Sequence, residues 1–526
     1  MIKQKKLIIF FFILYVIIGI CLSVLNGISH DQYHEQLNWL INFQAIKGIL
    51  FNNDNYEILK NYIDKYHGIG FHYISQPFQL VLFNFISDIT QTSNIGAIYI
   101  SRHIPTFIIF SISGIYFFLL CIKVSNNFNF ALLSSLIFFL YPYLFGHAQI
   151  NAKDIPFMSF WIISTYYLFK LIEKIYNQES ILLTDIFIFS LTTSFLISIR
   201  ITGFLIFIEY LISLIIFINY KKINIIYFFK KNLYFFIKFF LITVSLIYFL
   251  NPILWLDPLE IFRSLEWMSQ YYHNTCTLTL GDCMRAKNLP SSYIFIWLFF
   301  KLPLIVLIGI AFFPIIEKKL FNNRINSIYY FSLLITVLTI LFIMILNNVS
   351  LYDEIRHLMF LLPLIIIISL YNIFIYKKKI FMFLTILTCI FFILENISLK
   401  KYQYTWLNSF AKFTKIEKNF EVDYWGVSNK NLQRKIIEYK NQKNLSPKTC
   451  VYGDLYTNVF LEKFNFTCFG LYSQIDSIKQ RPFFAYQNVR NIKRSNPKDC
   501  KLIHLEKYKY FMGSAEITVG KLWFCD

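Results

Sequence analysis

A short polar stretch, residues 30–35 (HDQYHE), follows the first apolar run of the sequence. If this stretch is helical, Asp31 and Glu35 share one face at i, i+4 spacing, as do His30 and His34. A carboxylate at the boundary between membrane and water could act as a general base on an acceptor hydroxyl. Two alternatives stay open: a solvated helix start, with Asp31 favoured there by the helix dipole, and a His/Asp/Glu metal site.

A second polar stretch, residues 145–156 (FGHAQINAKDIP), separates two later apolar runs and is predicted to be a loop. Asp154 is well placed there as the N-cap of the following helix. Capping requires one such side chain, yet the loop also contains His147, Asn151 and Lys153. This excess polarity makes the loop a candidate part of a functional site.

A third group consists of basic residues on the predicted external side of the membrane, where such residues should be rare. External arginines run against the positive-inside bias, so each needs a specific reason. Arg binds phosphate through its planar fork, and a lipid-borne phosphate is a natural partner at this depth. For Arg356, a salt bridge to Asp353 or Glu354 is an equal alternative. The group consists of Arg102, Arg200, Arg356 and the adjacent His357.

Two further charges, Glu209 and Lys301, fall within apolar runs. Charges inside a membrane are functional candidates, but the sequence suggests no partner for either residue. We therefore predict that Lys301 extends its side chain towards the membrane surface. The sequence contains no phosphate-binding glycine loop, no CxxC metal framework and no nucleophile elbow.

The elements that must position these residues are membrane-spanning helices. The chain of 526 residues is 56% hydrophobic and 15% charged, whereas soluble proteins carry about 25% charged residues. Apolar runs near 20 residues can each cross the hydrocarbon layer. We predict a polytopic all-α membrane protein with an uncleaved first helix and eleven spans: 7–25, 95–121, 129–145, 155–173, 183–198, 201–219, 234–252, 293–313, 327–346, 357–375 and 380–397.

Lysine-rich loops set the orientation of these spans. The net charge of +20 concentrates in short loops, which the positive-inside pattern explains better than nucleic-acid binding does. The N-terminus is then cytoplasmic, and the first external loop covers 26–94. Within that loop, the apolar stretch 76–86 is predicted to be an interfacial or re-entrant helix, because a crossing there would reverse every later loop.

The positions of the cysteines agree with the predicted external segments of the chain. Cys276 and Cys283 share one predicted external loop, and four more cysteines follow residue 449, all where disulfides are permitted. Those four allow three connectivities. Cys21, Cys121 and Cys389 lie in predicted spans and are interpreted as small core residues.

After residue 398 the composition is that of a soluble protein, with a predicted helix at 429–444 and predicted strands at 449–452, 483–489, 501–505 and 517–524. We predict a transmembrane domain (1–398) and a small external α/β domain (399–526).

Together these motifs resemble glycosyltransferase family 39, which uses polyprenyl-phosphate sugars. The resemblance rests on the acidic motif at Asp31, on GHxxxxxKDxP at 146–156 and on IRHLxFxxP at 355–363. The stretches 402–408 and 423–428 also resemble the junction to the external domain in bacterial members. In one departure, the family's adjacent Asp-Glu pair is replaced by Asp31-Gln32, and the next acid is Glu35.

The resemblance implies a GT-C fold with its active site at the outer face. It implies that Asp31 is the base, that Asp154 is the second acidic site residue, and that Arg356 and Arg200 hold the carrier phosphate. A sugar would then pass with inversion to a lipid, glycan or protein hydroxyl, with Lys153 stabilising the leaving phosphate. We expect partners among membrane lipids and none among nucleic acids.

The reaction needs no nucleotide at the outer face, and His30, His34 and His147 leave a divalent metal open as a cofactor. The main rival is a transporter or flippase for a lipid-linked or anionic substrate, which would place polar residues near the membrane midplane and show internal repeats. A non-catalytic assembly factor is a second rival. We expect a bacterial inner-membrane protein with a periplasmic C-terminal domain.

Overall fold

The computed structural model describes residues 2–51, 55–270, 275–320, 324–446, 448–454, 458–478, 481–488, 496–513 and 515–526. The first part of the chain forms helices α1 (Ile2–Leu25), α2 (Asp31–Phe51), α3 (Asn55–Lys60), α4 (Gly70–Thr90), α5 (Asn94–Ser101), α6 (His103–Ser125), α7 (Phe128–Leu140), α8 (Pro142–Ile150) and α9 (Asp154–Tyr176).

The middle part contains more helices and one hairpin. In order, it forms α10 (Leu183–Ile199), α11 (Ile206–Lys221), α12 (Ile225–Lys231), α13 (Leu233–Leu250), α14 (Glu260–Gln270), β1 (Cys276–Thr279), β2 (Asp282–Arg285), α15 (Ser292–Lys301), α16 (Leu304–Ala311), α17 (Phe313–Leu320), α18 (Arg324–Leu346), α19 (Leu362–Tyr376) and α20 (Lys378–Leu399). A 3-10 helix, Arg356–Leu361, leads into α19.

Among the described residues, eight helical segments are long and apolar enough to cross a membrane: Lys6–Leu25, Asn94–Ser125, Asp154–Tyr176, Ile201–Lys221, Leu233–Leu250, Ile325–Leu346, Arg356–Tyr376 and Lys378–Thr405. Two bent pairs, α7 with α8 (57°) and α15 with the helix from Leu304 (118°), and the shorter α10 account for the other predicted spans. The bends fall at Pro142 and Pro303, because proline lacks the N–H that continues a helix. The prediction of a multi-pass membrane protein is confirmed.

The predicted first external loop is itself largely helical, with α2, α3 and α4 between residues 31 and 90. Helix α4 is longer than the predicted 76–86 segment and keeps Pro77 inside it. It does not belong to the candidate spans. It packs instead against α5 and α10, beside the bundle.

The two ends of the bundle differ in chemistry. At one end, Lys170 and Lys174 bind Asp185 at 3.1 and 2.5 Å, and Lys123 pairs with Glu173. At the other end, the β1–β2 hairpin contacts the turn before the 3-10 helix, where Thr277 Oγ1 accepts a hydrogen bond from the Asp353 amide at 2.9 Å. Lys123, Lys170 and Lys174 therefore lie at the end of the bundle opposite the candidate site residues.

The C-terminal part forms a small α/β unit, as predicted. Its elements are α21 (Ile416–Asn419), α22 (Asn429–Lys443), β3 (Cys450–Gly453), α23 (Val459–Glu462), β4 (Phe469–Leu471), β5 (Phe483–Asn488), β6 (Lys501–Lys509) and β7 (Glu516–Cys525). The sheet order is β4-β3-β5-β7-β6, parallel from β4 to β5 and antiparallel beyond. The short strand β4 was not predicted, since its three residues include a glycine. Val489, the last residue of one predicted strand, lies outside the described residues.

Leu432 and Ile436 on α22 pack against Val451, Phe484 and Leu522 of the sheet, which gives this unit its own apolar core. The unit is also joined to the helices by packing. Residues 402–427 contribute aromatic side chains to the main helical core, so packing continues across the predicted boundary at 398 and 399. That boundary stays a prediction.

Three disulfides form, and they select one of the open connectivities: Cys276–Cys283, Cys450–Cys468 and Cys500–Cys525. Cys121 and Cys389 are buried, as predicted. Cys21 is exposed, contrary to the prediction. The reason is that α1 lies at the edge of the bundle and turns much of its surface outward.

Candidate active site

Arg356 is the centre of a charged cluster at the end of the bundle opposite the lysines. Its side chain is only 4% exposed, and Nη1 lies 2.8 Å from Asp31 Oδ2 and 4.0 Å from Asp154 Oδ2. Nη2 lies 3.4 Å from Asp353 Oδ2. One guanidinium thus joins carboxylates from three separate parts of the chain. Of the two partners considered from the sequence, Asp353 faces Arg356 and Glu354 does not.

Two aromatic rings hold the plane of this guanidinium. The Arg356 Cζ atom lies 4.9 Å from the centre of the Tyr352 ring and 4.7 Å from that of Trp425. Cation–π contacts of this kind orient a guanidinium without using its N–H donors. The donors stay available for carboxylate or phosphate oxygens.

Asp31 is the first residue of α2, so its carboxylate lies where the helix dipole favours negative charge. Burial raises its pKa, but the charge and hydrogen bond of Arg356 outweigh burial, and the pKa falls below its ordinary value. The side chain is 45% exposed, in contrast to that of Arg356. Asp31 is therefore an ionised carboxylate that a substrate can reach.

Asp154 is buried at the start of α9 and pairs with Arg200 as well as Arg356. The prediction that Asp154 caps this helix is wrong. Asn151 does so, because its Oδ1 accepts the backbone N–H groups of Lys153 (3.1 Å) and Asp154 (2.8 Å). The carboxylate of Asp154 is consequently left for the two arginines.

The predicted polar loop at 145–156 is mostly helical, because α8 continues to Ile150 before the chain turns into α9. Asn151 Nδ2 donates to Asp154 Oδ2 at 2.9 Å and lies 3.0 Å from His147 Nδ1. The other ring nitrogen of His147 lies 3.1 Å from the Tyr424 hydroxyl. His147 and Asn151 thus support Asp154 from the buried side.

Glu35 lies one turn after Asp31 and has different partners. Its Oε2 is 3.3 Å from both Lys153 Nζ and His72 Nε2. Burial raises the pKa of Glu35, but Lys153 and His72 outweigh it and hold that pKa well below its usual range. Burial, aided by Arg102, lowers the pKa of His72 to about 3, so this ring is neutral at pH 7.

Lys153 also donates to the backbone carbonyl of Gly68 at 2.5 Å, and burial lowers its pKa. Arg102 is fully buried at the junction of α5 and α6, where it contacts Gln36. His357 packs its ring 4.6 Å from that of Tyr352, beside Arg356. Of the predicted phosphate-binding residues, the structure therefore brings His357 and Arg200 to the Arg356 cluster and leaves Arg102 beside Gln36.

The histidines considered as metal ligands have separate partners. His30 Nδ1 lies 2.8 Å from Asp454 Oδ2, and its Nε2 lies 3.1 Å from Asn488 Nδ2. His34 packs edge-on against Tyr33. Across the part of the chain that the structure describes, no group of three or more His, Cys, Asp or Glu side chains is placed to hold a metal. A metal at this site stays a prediction.

A buried ion pair behind the cluster was not predicted. Lys301 does not reach towards the membrane surface: it is fully buried, with Nζ 2.6 Å from Glu354 Oε2 and 4.5 Å from the Tyr143 ring centre. The sequence shows both charges but not that they meet, since 53 residues separate them. The second charge without a predicted partner, Glu209, accepts a hydrogen bond from Trp161 Nε1 at 2.7 Å.

Comparison with protein-family models and with curated proteins finds no match to this chain. Solved structures are similar at low identity. ArnT from Cupriavidus metallidurans in the apo state is 9% identical, with a TM-score of 0.46 over 99% of this chain and 98% of that one. The same protein bound to undecaprenyl phosphate gives 10% identity and a TM-score of 0.44, over 98% and 97% of the two chains.

The oligosaccharyltransferase of Archaeoglobus fulgidus in the apo form is 11% identical, with a TM-score of 0.44, over 87% of this chain and 64% of that one. At these identities and TM-scores the likeness concerns the path of the chain and does not assign a reaction.

Proposed function

We propose that this protein transfers a sugar from a polyprenyl-phosphate donor to an acceptor hydroxyl at the outer face of the membrane, with inversion. One observation carries the proposal: the half-exposed carboxylate of Asp31 lies 2.8 Å from the buried, ring-held guanidinium of Arg356. A base that a substrate can reach and a fixed cation for an anionic leaving group are the two groups that this reaction needs.

In the proposed reaction, an Asp31 carboxylate oxygen takes the proton of the acceptor hydroxyl. The hydroxyl oxygen attacks the anomeric carbon, and the bond from that carbon to the phosphate oxygen breaks with its electron pair on the phosphate. Arg356 and Arg200 stabilise the charge on the leaving polyprenyl phosphate. Asp154 holds both arginines in place.

The arrangement supports an enzyme over a transporter. Charges that bind a transported substrate usually lie near the midplane, on broken helices. Here Asp31, Asp154 and Arg356 lie where helices begin, at the end of the bundle that also contacts the hairpin with Cys276–Cys283. We place this end at the periplasmic face of a bacterial inner membrane, with a lipid, glycan or protein as the acceptor.

The test is Asp31→Asn in purified full-length protein reconstituted with polyprenyl-phosphate sugars. General-base catalysis contributes about 10²- to 10⁴-fold, so release of polyprenyl phosphate should fall by that factor while the protein is made normally. Asp88→Asn is the matched control, because Asp88 is exposed on α4. Full activity of Asp31→Asn would exclude Asp31 as the base, and transfer of an uncleaved donor across the bilayer would indicate a transporter.

A further inference from the structure

One face of α4 carries a row of buried polar groups. Ser75 and Gln76 follow His72 by three and four residues, and Gln79 follows them by four and three, so the four side chains share a side of the helix. His72 Nδ1, Ser75 Oγ, Gln76 Oε1 and Gln79 Oε1 have no hydrogen-bond partner among the described residues. Buried polar atoms are nearly always bonded, so four in a row point to a missing polar partner.

Arg102 closes the same region from the start of α6. Its side chain is fully buried, and one nitrogen donates to Gln36 Oε1, which also accepts from Gln79 Nε2 at 3.0 Å. Arg102 Nε and Nη1 have no partner in the described ranges. Gln36, His72, Ser75, Gln76, Gln79 and Arg102 are called the α2–α4 polar cluster below.

The cluster adjoins the candidate active site. His72 Nε2 lies 3.3 Å from Glu35 Oε2, and Glu35 follows Asp31 by one turn of α2. One side of the cluster is aromatic, because the Trp39 ring stacks on the His72 ring with the two ring centres 5.6 Å apart. Gln36 and Gln76 are partly exposed, so the cluster reaches the surface on this side.

The atoms without partners select the kind of ligand. Arg102 offers N–H donors, whereas Gln76 and Gln79 offer carbonyl oxygens, which only accept. An ionised phosphate could satisfy Arg102, but it has no hydrogen to give to the two amide oxygens. Each hydroxyl of a sugar both donates and accepts, so a sugar ring can satisfy the whole set.

We infer that the α2–α4 polar cluster binds the sugar ring of the lipid-linked donor. This inference rests on the proposed function and deepens it. The donor's phosphate meets Arg356, its anomeric carbon lies beside Asp31, and its ring hydroxyls extend along α2 past Glu35 to Arg102 and Gln79. Arg102 is then a sugar-binding residue, rather than the phosphate-binding residue expected from the sequence.

The experiment measures protection of a single thiol. Ser75→Cys is made in full-length protein that also carries Asp31→Asn, to keep the donor intact, and Cys21→Ala, to remove the exposed thiol. A small methanethiosulfonate reagent is added with polyprenyl-phosphate hexoses or pentoses, with polyprenyl phosphate alone, or with a lipid-free glycan. Asn84→Cys is the matched control, because Asn84 is exposed on α4.

We expect at least one lipid-linked sugar to slow modification of Ser75→Cys tenfold or more, with no effect of polyprenyl phosphate alone and none at Asn84→Cys. Equal rates under all conditions would mean that the cluster holds only water and would overturn the inference. Protection by polyprenyl phosphate alone, or only by the lipid-free glycan, would overturn it in favour of a phosphate site or an acceptor site.

A second variant covers a folding defect in Ser75→Cys and separates this inference from the proposed function. Protein that retains Asp31 is assayed for release of polyprenyl phosphate from each sugar and from its monodeoxy analogues. Gln79→Leu should reduce discrimination against one deoxy analogue at least tenfold, whereas Asn84→Leu should not. Release with unchanged discrimination and no thiol protection would refute the sugar subsite alone, and absence of release from every donor would refute the proposed function.

Discussion

The pairing of Asp31 with Arg356 governs the chemistry of the site at the scale of single residues. Arg356 lowers the pKa of Asp31 against the effect of burial and of the nearby Glu35, which raise it. A carboxylate beside a cation is a weaker base. The charge of a donor phosphate bound at the fixed Arg356 guanidinium would offset part of the cation's effect on Asp31, and the pKa of Asp31 would rise as the donor binds.

The acid limb of the pH–rate profile should therefore depend on Arg356. In Arg356→Gln the pKa of Asp31 loses its main lowering influence, and we expect the acid limb of kcat/KM to move up by about one to three pH units. The profile of polyprenyl phosphate release against pH measures this shift. Arg200→Gln is the control, since it should reduce the rate without moving the limb, and an unmoved limb in Arg356→Gln would contradict the prediction.

At the scale of elements, a strained turn delivers Arg356. Asp353 and Glu354 both have left-handed backbone angles, with φ of 55° and 68°. Non-glycine residues adopt this region at a cost of roughly 1–2 kcal/mol each, so neighbouring contacts must stabilise it. The hairpin supplies one contact through Thr277, and the Tyr293 hydroxyl supplies another to the Glu354 carbonyl at 3.1 Å. The Lys301–Glu354 pair supplies the third.

Lys301→Met should destabilise the protein because it leaves the carboxyl of Glu354 buried without its cation. Removing one member of a buried pair costs about 3–5 kcal/mol, whereas replacing both by apolar residues is often neutral. Thermal unfolding should show a large loss for Lys301→Met and recovery in Lys301→Met/Glu354→Met. A single variant as stable as wild type would contradict this role.

At the scale of the whole molecule, the C-terminal unit is attached to the segment between the end of α1 and the start of α2. His30 contacts Asp454, and Lys430 Nζ donates to the backbone carbonyls of Leu25 and Asn26 at 2.7 and 2.8 Å. Trp425 comes from the segment that leads into this unit and lies on Arg356. The unit therefore helps to hold both Asp31 and Arg356 in position.

Lys430 makes this attachment dependent on pH. Burial, with smaller effects of nearby cations, lowers its pKa to about 7. Between pH 7 and 10.5 the unfolded chain binds a proton that the folded state has lost, so stability rises with pH in this window. Between pH 7 and 9 the contribution is about 2 kcal/mol. The melting temperature of Lys430→Met should rise less over this interval than that of wild type.

The exposed Lys435, which pairs with Glu438 on the same helix, offers the matched control. Lys435→Met should keep the wild-type rise in melting temperature. An equal rise in Lys430→Met and in wild type would show that Lys430 keeps its ordinary pKa in the folded protein.

Local features of the sequence determined the spans and four of the five strands of the C-terminal unit's sheet. Apolar runs, lysine positions and alternation of side chains are properties of neighbouring residues, and they survive in any fold the chain adopts. The same holds for Asp31 and Glu35, whose shared face follows from helical spacing alone. Their candidacy as site residues needed no tertiary contact.

Only the tertiary structure decided which charged side chains pair with one another. Arg356 meets Asp31 across 325 residues, and the sequence could not distinguish Asp353 from Glu354 as its neighbour. Helix α9, which Asp154 was expected to cap, is capped by Asn151, and the carboxylate of Asp154 pairs instead with Arg200 and the buried Arg356. Lys301 and Glu354 also meet only in the folded chain, where each buried charge would be strongly destabilising without the other.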